Sequence, residues 1–112
     1  MQNQIDTLLA DIKKDYENWT TQNGKREISS YSQGVLDNFY DNVQVKQGKK
    51  YIKIIRENSV WGFIVATDSH PKFRKGDILK AAGWNAPAMN APRGNILDGG
   101  YTVRWTGPLY LN

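Results

Sequence analysis

Apolar residues in the first twenty positions recur at Ile5, Leu8, Leu9, Ile12, Tyr16 and Trp19. Steps of three and four place them on one face of an α-helix and predict a helix over about residues 2–20. Asn23-Gly24 supplies its stop, because both residue types tolerate the left-handed conformation that closes a helix. Over residues 25–42 the period is less regular. Tyr31, Val35, Leu36, Phe39 and Tyr40 suit a short second helix, capped by Ser29 or Ser30 and weakened by about 1 kcal/mol at Gly34.

From Val43 the pattern changes to β-branched and aromatic runs. VQV, KYIKII and VWGFIVA are separated by Gln47-Gly48 and Glu57-Asn58-Ser59, which predicts an antiparallel meander. Between Tyr51 and Glu57 neither parity is purely apolar, so alternation leaves open which face is buried. Beyond Val65 the density of glycine and proline excludes helices of ordinary length. Short strands remain over 77–81, 95–97 and 101–105, with a long loop from Trp84 to Gly94. Gly76 and Gly94 are expected at positions that need unusual backbone angles.

The order of elements is that of an α+β fold. An amphipathic N-terminal helix, or two helices, packs on a small antiparallel sheet, either strongly curled or closed as an SH3-like barrel. The phrase F-x-x-G-D-I-L at Phe73–Leu79 is common in such barrels. The first helix covers the open side of the sheet or mediates a dimer. The chain has 112 residues and shows neither repeat nor linker, so a single domain 1–112 is expected. Its helical part is 1–42 and its β-rich part 43–112.

Composition narrows the chemistry. The absence of cysteine excludes disulfides and thiolate metal sites. At 39% hydrophobic and 12% aromatic, the chain is too apolar for a disordered segment. Its apolar runs fall far short of the ~18 residues of a membrane span, so no membrane partner is expected. His70 is the sole histidine, and no pair of carboxylates stands in the C-terminal strands. Asp68-Ser69-His70 holds triad residue types, but neighbours in sequence do not easily take up nucleophile–base–orienter geometry. No catalytic residue, metal or cofactor is therefore expected, and the protein is not read as an enzyme.

Charge is unevenly placed. Residues 1–45 hold four bases and seven acids, a net of −3, whereas residues 46–112 hold eleven bases and four acids, a net of +7. Lys49, Lys50, Lys53 and Arg56 lie on the meander, and Lys72, Arg74, Lys75 and Lys80 surround the next turn, with Arg93 further on. Interleaved aromatics, Trp84 above all, make nucleic acid one expected partner. Trp61 and Trp105 are read as core residues, and Trp84 either plugs the core or serves a partner. The plainer reading of the lysines is solvent-facing strand edges. A protein partner or a homo-oligomer, engaged through the apolar helix face or the APAMNAP loop, is the other expectation.

The block FRKGDILKAAGWNAPAMNAPRGNIL (Phe73–Leu97), followed by YTVRWTGPLYL, carries a resemblance. It is similar to small uncharacterised proteins of tailed phages, particularly marine ones, that share a KGDILK...W..PA.N..RGNI phrase. The resemblance covers roughly the C-terminal half, and the KYIKI run fits it too. It implies a phage source and transfers no catalytic residue. An accessory or interaction module in the host cytoplasm or the virion is expected, with weak, non-specific nucleic-acid binding as the alternative. The N-terminus carries acids inside its apolar stretch, unlike a secretion signal.

Overall fold

The first helix, α1 (Gln2–Thr21), buries Ile5, Leu8, Leu9, Ile12 and Tyr16, the stripe set by the sequence. A computed structural model of the chain describes residues 1–108. The last four positions, which hold the Leu-Tyr-Leu of the phage-like block and the end of the expected β-rich part, lie outside the described residues. Helix α1 runs one residue past the expected end at 20, and its left-handed stop begins one residue before Asn23-Gly24. Gln22 is its cap, and Gln22, Asn23 and Gly24 are all left-handed (φ 52°, 60° and 87°). Asn23 N–H donates to Asn18 O at 2.8 Å, and Arg26 Nε donates to Thr20 O at 3.0 Å, so late helical carbonyls are satisfied.

Trp19 departs from the expected stripe, because it is 62% exposed. A 20-residue helix is about 30 Å long, whereas the strands beneath it span about 20 Å. The last turn therefore reaches past the strands, where Trp19 lies against the rings of Trp105 and Tyr16 while its neighbour Thr20 stays buried. The second helical segment is shorter than residues 25–42. Helix α2 (Ser30–Asp37) is capped by Ser29, whose Oγ accepts from Ser32 N at 3.1 Å, and a 3₁₀ turn follows at Tyr40–Asn42. Leu36 and Phe39 are buried; Tyr31 and Tyr40 are exposed.

Strands β1 (Val43–Gln47), β2 (Tyr51–Arg56), β3 (Ser59–Val65) and β4 (Ile78–Leu79) form an antiparallel sheet in sequence order. A separate two-stranded hairpin joins β5 (Val103–Arg104) to β6 (Gly107–Pro108). The sheet stays open, so the fold is α+β with α1 laid across an antiparallel sheet, not a closed barrel. The expected strands at 77–81 and 101–105 shrink to two residues each. The one at 95–97 reduces to a single bridge, Asp77 to Asn95, because Gly94 turns the chain away.

In β2 neither parity is purely apolar because Arg56 shares the α1 face with Ile52 and Ile54, and in β3 a bulge breaks the alternation. Ile54 pairs with Gly62 but Ile55 pairs with Val60, leaving Trp61 as an extra residue in β3. Trp61 and Ile64, of opposite parity, consequently both join the core under α1 with Ile52, Ile54 and Ile78. Trp61 Nε1 donates to Arg104 O at 2.9 Å, which ties β3 to the β5–β6 hairpin. The other face is covered too, since Phe63, Val65, Phe73 and Leu79 form a second cluster there. Gly62 is required by close approach, because a Cβ there would lie 2.9 Å from Leu79 O.

Candidate nucleic-acid interface

The outer face of the sheet, opposite α1, presents Tyr51 and Lys53 beside Phe63, in register across β2 and β3. Lys46 pairs directly with Lys53 across β1 and β2. Directly paired side chains share a face, so both lysines project from the outer face. Lys53 Nζ lies 4.6 Å from the centroid of Trp84, in cation–π contact, and donates to Asn85 Oδ1 at 3.1 Å. Trp84 is 51% exposed, which decides its role against a core plug.

The loop that carries Trp84 is pinned to this face by polar contacts. Tyr51 Oη approaches Met89 Sδ at 3.8 Å, and Lys72 Nζ donates to Met89 O. His70 organises the other side of the patch. Its Nδ1 accepts from the backbone N–H of Lys72 and of Phe73, both at 3.0 Å. A nitrogen that accepts twice carries no proton, so the proton of the neutral ring is on Nε2, which donates to Tyr51 Oη at 2.9 Å. Desolvation lowers the His70 pKa, the nearby charge of Lys50 lowers it further, and Asp77 acts in the opposite sense. Burial raises the Tyr51 phenol above its ordinary value, so it serves as a neutral hydrogen-bonding group. His70 is thus a brace for the Ser69–Phe73 turn, more engaged than an extended loop residue.

The cations singled out in the sequence are divided between the two faces of the sheet. Lys50 and Lys72 border the Tyr51 and Phe73 rings at 5.7 and 5.4 Å and join Lys53 on the outer face. Arg56 goes to the opposite face. Its guanidinium sits 5.3 Å from the ring centroids of Tyr16 and Trp105 and 5.8 Å from Phe39, under α1. The parity of β2 places 53 and 56 on opposite sides, which is why these two bases separate. Arg74 is exposed and ion-paired with Asp98. Lys75 contributes its carbonyl to Asn95, and Lys80 lends its carbonyl to Ala88 in the bridge to Pro87. Lys49 is exposed at the β1–β2 turn. Arg93 is half-buried, with Nε and Nη1 shielded from solvent and lacking a protein partner. The sequence reading missed Lys46, Tyr51, Asn85 and Met89. The hairpin turns about the Lys49–Lys50 bond, pairing Gln47 with Ile52, and this register puts Lys46 opposite Lys53; a turn one residue shorter would have put Val45 there.

Among the described residues no group of three or more His, Asp or Glu is gathered to hold a metal ion. No helix of the described residues is long and apolar enough to cross a membrane. Comparison of the chain with protein-family models, with curated proteins and with solved structures finds no match.

Proposed function

We propose that the protein is a non-catalytic accessory module of the kind tailed phages encode, which binds single-stranded nucleic acid across the outer face of its sheet. The reading rests on Lys53 held against the half-exposed Trp84 ring, beside Lys46 on the neighbouring strand. Lysines contact phosphates while an open indole face stacks a base, the combination used by sequence-tolerant single-strand binders. Four lysines (Lys46, Lys50, Lys53 and Lys72) imply a salt slope of about −3 and weak affinity at physiological ionic strength. Host cytoplasm or virion is the compartment that goes with this reading.

Titrating a labelled single-stranded oligonucleotide at about 50 mM salt tests it, because the electrostatic contribution is strong there. Binding that fades steeply with added salt is expected; no binding at low salt removes the reading. The exposed side chains of Trp84 and Met89 on one loop favour a protein partner or a second copy as the second reading. Sedimentation at rising concentration tests self-association, and salt-insensitive association would favour it over nucleic acid.

A further inference from the structure

An open cleft of about 810 Å³ lies on the α1 side of the sheet, between the end of that helix and the β5–β6 hairpin. Its size is within the range of small-ligand sites. Trp19 and Trp105 form its aromatic corner, with ring centroids 5.1 Å apart and planes inclined at 49°. Contacts from behind hold the corner in place. Tyr16 meets Trp105 edge-on at 5.2 Å, and the Arg56 guanidinium lies 5.3 Å from the same ring. Asp15 Oδ2 accepts from Trp105 N at 2.9 Å and Oδ1 pairs with Arg104 at 3.5 Å, so the hairpin turn is fastened to the helix.

The remaining wall is polar. Asn18, Gln22 and Asn23 line it with carboxamides, and the last two are held in left-handed backbone where the helix ends. A non-glycine residue in that conformation is uncommon, and here two in succession stand at the cleft. Charge in the cleft amounts to Asp15 against Arg26 and Arg104, one positive charge net. A polyanion finds far less attraction here than on the lysine face.

The geometry points to a binding site for a neutral oligosaccharide. Each pyranose ring has a C–H face that packs on an indole and a rim of hydroxyls that both donate and accept. Carboxamides also donate and accept, and carboxylate and guanidinium groups pair with neighbouring hydroxyls in the same plane. A purely apolar ligand would leave those amides unpaired at a desolvation cost. The fixed corner lowers the ordering cost of capture, since Trp105 is already tied at its backbone and packed from behind.

The test is a titration of the ¹⁵N-labelled full chain with cellohexaose, chitohexaose and maltoheptaose, following the indole N–H signals. At least one sugar should move the Trp19 and Trp105 signals saturably while that of Trp84 stays in place. The shifts should be unchanged between low and high salt, unlike phosphate binding. Trp19→Ala should abolish the response of Trp105. Gln22→Gly keeps a residue at ease in the left-handed conformation while removing the carboxamide, and it should weaken binding by about tenfold. The proposal is overturned if none of the three sugars moves these signals, or if Trp105 responds equally in Trp19→Ala. It is also overturned if only a single-stranded oligonucleotide perturbs the corner.

Discussion

Asp77 and Asn95 face each other across an isolated antiparallel bridge, with Asn95 Nδ2 donating to Asp77 Oδ1 at 3.0 Å. Both are buried, and between them they fasten two distant turns. Asp77 Oδ2 accepts from Arg74 N at 2.9 Å; Asn95 Oδ1 accepts from Leu97 N at 2.8 Å, and its Nδ2 also donates to Lys75 O at 2.9 Å. The K-G-D and R-G-N phrases are thus two halves of one polar bracket. Replacing either residue by Ala leaves buried donors or acceptors unpaired, so each change should cost about 2–4 kcal/mol. The double variant should cost less than the sum, and denaturant unfolding of all three measures the difference.

The glycines of those phrases separate backbone strain from steric closure. Gly94 has φ 144°, and a Cβ there would lie 2.6 Å from Tyr101 Cβ. Gly76 has φ 90° with Asn95 Oδ1 at 2.8 Å from the added atom. Gly24, at φ 87°, has nothing within 4 Å. Gly24→Ala should therefore cost only the left-handed penalty of about 1–2 kcal/mol, while Gly76→Val and Gly94→Val cost clearly more. Melting temperatures in the order Gly24→Ala above both valine variants are the expected outcome; equal values would contradict it.

Acid should weaken the Ser69–Phe73 turn. The His70 pKa is lowered from 6.5, so the folded state binds its proton less readily than the unfolded chain. Stability from this group is complete above pH 6.5 and is lost as pH falls from there through the folded pKa. Proton uptake at Nδ1 forfeits both backbone bonds to that nitrogen. His70→Asn keeps an acceptor and removes the titration, so its melting temperature should fall less than wild type between about pH 7 and pH 5. An NMR titration placing His70 at or above 6.5 would sink this account.

Lys53 and Arg56 should part company in a binding assay. Lys53→Gln removes a cation from the outer face and the contact with Trp84, so it should lower the salt slope by about 0.7 on single strands. Its melting temperature should hardly move. Arg56→Gln empties a slot among Tyr16, Phe39 and Trp105 and should cost about 1–3 kcal/mol of stability, with oligonucleotide binding unchanged. Fluorescence anisotropy and thermal melting on the same two variants settle the assignment of faces.

Much of the fold was legible because local periodicity carries it. Ile5, Leu8, Leu9, Ile12 and Tyr16 repeat with the helical period, and that alone fixes both the helix and its buried side. VQV, KYIKII and VWGFIVA with their turn residues fix a meander, since hairpin chemistry is local. Gly76 and Gly94 declared their backbone demands through residue type. The excess of basic residues after position 45 was a matter of counting.

What the sequence left undetermined depended on register and length. One extra residue at Trp61 reverses the parity of β3, and both faces of the sheet are covered, so no strand shows clean alternation. Trp19 is exposed because α1 outruns the strands, a comparison of lengths that exists only once the two are packed. Charge counting placed Lys53 and Arg56 together; the pleat put them on opposite sides, and cross-strand pairing brought Lys46 in instead. Spacing along a chain determines elements and their apolar stripes, whereas which side chains meet across strands is fixed by pairing register, a property of the assembled sheet.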